Sequence, residues 1–250
     1  MRTILKNLWK WIASAAAVAS IFGVVLFFMA DNVAVITALT FICILLLIIT
    51  SYIIYTLQIF IKQNHVKDYD TIASFAEYRC DNRTNSTYDT YRLIQCKRPM
   101  LAEIKYHFKW SGSVLPKISS NCQDIKRPVH ISSPDEWDYA ILELKRPLTY
   151  NECTVLHVHT ENDDTDGTAS PYISLKVEFP ISYIQFRVLL SYKPKEYNRV
   201  ATFERRKITS NVETDWEAIA SIPFDTNYKS YTCMQERPTP GFYYRLSWEK

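Results

Sequence analysis

Charged side chains are nearly missing from a long stretch near the start of the chain. Between Trp11 and Ile61 the only one is Asp31, and no histidine lies there either. Ion pathways, proton relays and voltage sensors inside a membrane normally need charged or histidine side chains. We therefore do not expect a transporter or a pump.

Motifs for catalysis are missing too. The chain holds no GxSxG, HExxH or Walker-type loop, and neither His107 nor His130 stands in a recognisable nucleophile setting. Five of the six cysteines lie outside the apolar stretch, and none forms a CxxC pair. In a cytoplasmic location we expect these thiols to be reduced and mostly buried. We expect no enzyme and no cofactor.

An excess of positive charge is also lacking after residue 61. Three of the 29 basic residues and one of the 26 acidic residues precede residue 62, which leaves 26 basic against 25 acidic side chains. A broad basic face is what binds nucleic-acid duplexes. We therefore expect no DNA or RNA duplex as a partner, although a local basic pocket stays open.

What the chain does have is two long apolar runs, Trp11–Ala30 and Val33–Ile61, separated by Asp31 and Asn32. A bilayer core about 30 Å thick needs roughly 20 apolar residues in a helix. The runs predict a transmembrane helical hairpin over residues 1–61, followed by a linker over residues 62–74. The lipid bilayer is thus the first expected partner.

Basic residues flank the hairpin at both ends, whereas its turn carries only Asp31. Cytoplasmic loops collect Lys and Arg, so the N-terminus and the C-terminal domain should face the cytoplasm of a multi-pass inner-membrane protein. The alternative is a signal peptide ahead of an extracytoplasmic domain with disulfides. The second, longer apolar run argues against that alternative, because it acts as a stop-transfer segment.

Small residues recur at spacings of four in the first run, at Ala15, Ala19 and Gly23. Such a row lets helix backbones approach closely in lipid. It predicts either self-association between chains or packing against the second helix of the same chain.

The remainder, residues 75–250, predicts a mostly-β domain, an antiparallel barrel or sandwich. With four glycines in 250 residues, its turns must rely on Pro, Asn, Asp and Ser. Residues 180–182 separate two alternating runs, which suggests an antiparallel hairpin. Eight segments are rich in aromatic and β-branched residues and predict strands: 88–96, 102–110, 139–145, 153–160, 172–179, 183–192, 216–222 and 242–248.

Two histidines, His157 and His159, share one face of a predicted strand and precede an acidic run, residues 161–167. Imidazoles with nearby carboxylates could bind a divalent ion. The ligand set of a calcium loop is incomplete, however, and an acidic hairpin turn explains the same residues. We expect no metal site.

Ligand binding remains. The polar faces of the clearest strands carry four candidate ligand residues: Lys176, Arg187, Tyr243 and Arg245. Arg and Tyr together suit a ligand with phosphates and a flat base. The alternative is a solvated face with cross-strand ion pairs, such as Glu178 with Arg187.

In the order of its parts, the chain resembles the two-transmembrane-helix, β-domain membrane effectors of bacterial cyclic-oligonucleotide anti-phage systems, of which CBASS is the best known. The resemblance covers Trp11–Ala30, Val33–Ile61 and then the β-rich segment from Tyr88 to Trp248. It implies that the β-domain senses a cyclic nucleotide and that the hairpins self-associate and disrupt the membrane. The alternative function is a membrane-anchored protein-interaction scaffold with no nucleotide ligand.

Overall fold

The computed structural model describes residues 32–64, 67–82, 84–112, 114–129, 137–210 and 215–250. The chain divides into two units, Met1–Asn64 and His65–Lys250. The first predicted membrane helix, with Ala15, Ala19 and Gly23, lies outside the described residues, and so does His130.

A single long helix, α1 (Asn32–Asn64), occupies the described part of the first unit. Within it Val35–Ile61 is long and apolar enough to cross a membrane. The hydroxyl of Thr50 donates to the carbonyl oxygen of Leu46 at 2.6 Å, and Thr37, Thr40 and Thr56 likewise bond one turn back. These bonds satisfy the threonine hydroxyls without water, which suits a helix in lipid.

The second unit is built of strands. Their bounds are β1 (Tyr69–Cys80), β2 (Asn85–Cys96), β3 (Met100–Phe108), β4 (Lys117–Ser119), β5 (Asp124–Val129), β6 (Asp138–Thr149), β7 (Cys153–Asp163), β8 (Tyr172–Val177), β9 (Tyr183–Leu190), β10 (Val200–Lys207), β11 (Glu217–Pro223), β12 (Ser230–Glu236) and β13 (Phe242–Ser247). All eight predicted strands are present. The predicted linker 62–74 holds the end of α1 and the start of β1.

The strands form three sheets: β12-β9-β1-β2-β7-β4, β11-β10-β13-β8 and β3-β6-β5. Pairing is antiparallel except between β1 and β9, which run parallel. Each of the three has two edge strands among the described residues, so the domain is a set of packed sheets and not one closed barrel.

One face of the six-stranded sheet carries two separate cores. The first lies against the four-stranded sheet and includes Phe186, Phe203 and Tyr244. The second lies against the three-stranded sheet and includes Ile94 and Leu142. We call this the inner face of the six-stranded sheet, and the opposite one its outer face. The two cores leave a seam between the smaller sheets.

The hairpin predicted around residues 180–182 is wrong. β8 pairs with β13, whereas β9 pairs with β1 and β12 in the facing sheet. Ile173 and Val177 of β8 are buried, as are Ile184 and Phe186 of β9. Passing from one sheet to the other lets these two apolar faces meet across the first core, which a flat hairpin would not allow.

Candidate ligand cleft

The seam between the two cores opens into a cleft of about 1170 Å³. Its lining comes from all three sheets, with Tyr88 and Arg92 from the six-stranded sheet, Tyr106 from the three-stranded sheet, and Tyr243 and Arg245 from the four-stranded sheet. Typical small-molecule sites measure about 300–1,000 Å³. The cleft is therefore large enough for a ligand of several rings.

Aromatic side chains dominate the lining. Trp110, Trp137, Trp216 and Trp248 all line the cleft, and they are the only tryptophans after residue 11. Trp248 packs on Tyr78 with ring centroids 5.0 Å apart. Indole and phenol faces of this kind stack on flat bases.

Burial shifts the pKa values of three groups that line the cleft. It raises the pKa of Tyr88 to about 12 and raises the pKa of Tyr78 as well. Burial and the neighbouring charge of Lys105 lower the pKa of His107, which also lines the cleft. At neutral pH these three groups are uncharged and can donate or accept hydrogen bonds.

Positive charge exceeds negative charge in this lining. Among the described residues of the lining, the basic side chains are Arg92, Lys109, Lys193, Arg206, Arg245 and Lys250, whereas the one acidic side chain is Asp164. Lys250 already neutralises Asp164, at 2.9 Å from Nζ to Oδ2. The cleft therefore favours an anionic ligand.

Two of these cations have no carboxylate partner within the described ranges. Lys193 is buried, and its ammonium donates to the backbone oxygen of Glu249 at 3.4 Å. Arg92 makes neither an ion pair nor a hydrogen bond there, and its guanidinium lies 5.0 Å from the ring centroid of Tyr106. Positive charge held away from water without a counter-charge is costly unless a ligand supplies one.

Arg245 is held in a different way. Its Nε donates to Glu204 Oε1 at 2.7 Å, and Ser247 donates to the same oxygen at 3.0 Å. The guanidinium lies 3.9 Å from the ring centroid of Trp216 and 5.2 Å from that of Tyr172. The ion pair with Glu204 thus fixes a cation between two aromatic walls of the cleft.

Several buried polar atoms of the lining have no hydrogen-bond partner in the part of the chain that the structure describes. They are Arg92 Nε, Trp110 Nε1, Asn162 Oδ1 and Trp216 Nε1. A buried polar group left unpaired costs about 1–3 kcal/mol. Their concentration in one cleft indicates a site shaped for a polar ligand.

The four predicted ligand residues fall in three places. Tyr243 and Arg245 line the cleft. Lys176 lines a smaller adjoining pocket, where its Nζ lies 2.5 Å from Glu178 Oε1. Arg187 lies on the outer face and pairs with Glu77 at 3.5 Å, so the alternative pair of Glu178 with Arg187 is wrong.

Sequence reasoning missed Arg92, Lys193, Asn162 and the cleft tryptophans. Arg92 had a detectable signal, because it shares a strand face with Thr90 and Ile94, both of which are buried. An arginine on a core-facing position is rare enough to suggest a function.

The two histidines do lie on one face, but they share a carboxylate. His157 Nε2 and His159 Nδ1 lie 3.0 and 2.8 Å from Asp89 Oδ1. The amide of Asn121 donates to His157 Nδ1, so neutral His157 carries its proton on Nε2 and donates it to Asp89. Among the described residues, no group of three or more His, Cys, Asp or Glu side chains is placed to hold a metal.

No family model and no curated protein match this chain. Among solved structures, the M1 zinc metallopeptidase from Deinococcus radiodurans is 12% identical with a TM-score of 0.40, and the match covers 72% of this chain and 42% of that one. Yeast LTA4 hydrolase is 8% identical with a TM-score of 0.34, over 67% and 29%. Baculovirus P35 is 7% identical with a TM-score of 0.36, over 73% and 98%.

This chain therefore spans less than half the length of the two enzymes it is compared with. Likenesses this distant carry no conclusion about function.

Proposed function

We propose that the protein is a membrane effector of bacterial antiviral defence whose β-domain binds a cyclic oligonucleotide in the cleft. The observation that carries the proposal is the lining itself, which combines uncompensated basic side chains with four tryptophans. Phosphates pair with basic groups, and bases stack on aromatic faces. A nucleotide carries phosphates and bases, so its site needs basic groups as well as aromatic faces.

The division of roles within the cleft follows from its charges. Arg92 and Lys193 supply positive charge that no carboxylate in the described ranges offsets, as a ligand with two phosphates requires. Trp216 and Tyr243 supply aromatic faces on the opposite wall. Arg245 is already neutralised by Glu204, so its role is to hold Trp216 in place.

The membrane side of the proposal is a two-helix hairpin over residues 1–61, with the N-terminus and the β-domain in the cytoplasm of the bacterial inner membrane. What supports it is the uncharged apolar span Val35–Ile61 and the basic flanks of the two apolar runs. Ligand binding then controls self-association of the hairpins, and their clustering disrupts the bilayer. Protease added to spheroplasts, in which the outer side of the inner membrane is accessible, should leave the C-terminal domain uncut.

The ligand is tested by calorimetric titration of the full chain in lipid nanodiscs with cyclic di- and trinucleotides. We expect at least one to bind, and we expect Tyr243→Ala to weaken it at least about fivefold, since one base stack is worth about 1–3 kcal/mol. Tyr228→Ala is the matched control, because Tyr228 is 70% exposed and outside the cleft. Absence of binding by every nucleotide contradicts the proposal.

A second candidate function is the protein-interaction scaffold, and one feature favours it. Strand β11 is a sheet edge with an uncharged, exposed middle, Ala218–Ser221, to which a partner strand could pair. The two functions differ in what the hairpin does by itself. Forced dimerisation of residues 1–61 should be toxic to cells for an effector and harmless for an anchor.

A further inference from the structure

Ser74 and Arg92 face each other across two neighbouring strands. They are directly paired in the register of β1 with β2, so both side chains lie on the inner face of the six-stranded sheet. Ser74 is buried, at 3% exposure, and Arg92 is half-buried. A hydroxyl and a guanidinium thus occupy adjoining positions on a face that is otherwise mostly apolar.

Neither side chain uses its polar atoms within the molecule as described. Ser74 Oγ and Arg92 Nε are both buried without a hydrogen-bond partner. The guanidinium lies over the ring of Tyr106, 5.0 Å from the ring centroid, and its N–H groups make no hydrogen bond among the described residues. Such groups suit an oxyanion, which accepts from both a guanidinium and a hydroxyl.

The pair stands where two cavities meet. Arg92 lines both the cleft and a smaller pocket of about 60 Å³, and Ser74 lines the smaller one. The two carboxylates of that pocket are already engaged, Asp70 with Lys97 at 3.6 Å and Glu178 with Lys176 at 2.5 Å. In the part of the chain that the structure describes, no carboxylate competes with an incoming anion for Arg92.

We propose that Ser74 and Arg92 form an oxyanion subsite that takes a phosphate group of the ligand. The inference rests on the proposed function because it assigns the oxyanion to a nucleotide. It adds the two side chains that bind one phosphate group of that nucleotide. The subsite lies on the neighbouring strands β1 and β2, and β1 is the first strand after the apolar helix in the chain.

The subsite is tested with inorganic pyrophosphate, which carries phosphate charge without a base. The full chain in nanodiscs is titrated with pyrophosphate and, separately, with the cyclic nucleotide that binds best. Arg92→Gln should weaken both at least tenfold because it removes a charged donor, and Ser74→Ala should weaken both about threefold to tenfold because it removes a single uncharged donor. Arg92→Lys, which keeps the charge but not the fork, should fall between wild type and Arg92→Gln.

The matched control is Arg187→Gln, which removes an arginine from the outer face of β9, the strand next to β1 in the same sheet. It should leave both affinities within twofold of wild type. Thermal unfolding of each variant shows that it is folded. If pyrophosphate fails to bind, or if Arg92→Gln and Arg187→Gln affect it equally, the subsite is wrong. If a nucleotide still binds with unchanged affinity after Arg92→Gln, the subsite is wrong but the proposed function stands. If pyrophosphate binds but no nucleotide does, the proposed function is wrong but the oxyanion subsite stands.

Discussion

The two faces of the six-stranded sheet treat charge in opposite ways. On the outer face Glu77 pairs with Arg187 at 3.5 Å and with Arg79 at 3.2 Å. There too, Asp89 is shared by two histidines. On the inner face Arg92 has no carboxylate partner among the described residues, although it stands only two strands from Arg187.

The two faces differ in whether their charged side chains are paired. Outer-face charges satisfy one another, as expected of a solvated sheet surface. The inner face carries an uncompensated cation beside a cleft, and functional sites are where natural proteins break such rules. The following predictions concern this contrast between the faces.

The largest effect should come from the apolar side chains of the two faces. Phe186 is 1% exposed in the first core, whereas Phe75 lies on the outer face with its ring 5.9 Å from that of Tyr91. Phe186→Ala should lower the free energy of unfolding by about 3–5 kcal/mol because it leaves a cavity. Phe75→Ala should cost about 1 kcal/mol. Equal losses in denaturant unfolding of the full chain would contradict the assignment of faces.

Cysteine reactivity should differ between the faces by at least about 100-fold in rate. Cys153 and Cys122 are exposed, whereas Cys80 and Cys233 are buried on the inner side. Burial raises the pKa of Cys233 to about 12, so its reactive thiolate stays scarce even at pH 9. Alkylation at pH 8 followed by peptide mapping measures the rates. Rapid labelling of Cys233 in the folded protein would show that the first core is open.

Removing the shared outer-face carboxylate should have an intermediate effect. Asp89→Asn weakens the bonds to both His157 and His159 and should cost about 1–3 kcal/mol of unfolding free energy. Glu161→Gln is the matched control, since Glu161 lies 4.0 Å from His159 and is 59% exposed. The control should stay within about 0.5 kcal/mol of wild type. A larger loss for Glu161→Gln than for Asp89→Asn contradicts the geometry.

The smallest effect concerns the two arginines, whose substitution should shift the unfolding temperature in opposite directions. Arg92→Met removes a cation without a counter-charge and should raise the unfolding temperature by a few degrees, about 1 kcal/mol or less. Arg187→Met takes a partner from Glu77 and should lower the unfolding temperature by a similar amount. Differential scanning calorimetry of the full chain without ligand decides between them. If both substitutions shift the unfolding temperature in the same direction, the proposed contrast between the two faces is wrong.

Strand positions were readable from the sequence, but sheet membership was not. The alternation of Ile184, Phe186, Val188 and Leu190 predicted β9, and all four side chains are buried. The sequence did not show that β9 runs parallel to β1 in another sheet than β8, because partner choice depends on contacts remote in the chain.

The missed strands have weak local signals. β1 buries the small residues Ser74, Ala76 and Cys80, which carry little β-branched or aromatic character on that face. β10 ends in the charged run Glu204–Lys207, which disguises the buried Ala201 and Phe203. The residues of the cleft could be predicted only in part, because many of them lie outside clearly alternating strands. Tyr243 and Arg245 stood out on such a strand, whereas Lys193 and the tryptophans come from loops and strand ends.

The most direct test of the cleft as a receptor is intrinsic fluorescence. With Trp9 and Trp11 replaced by Phe, every remaining tryptophan of the chain lines the cleft. Titrating this full-length variant in nanodiscs with a cyclic dinucleotide should quench its emission saturably, because a base stacked on an indole alters its excited state. A nucleotide that binds by calorimetry yet leaves the emission unchanged would place the site elsewhere and contradict the account.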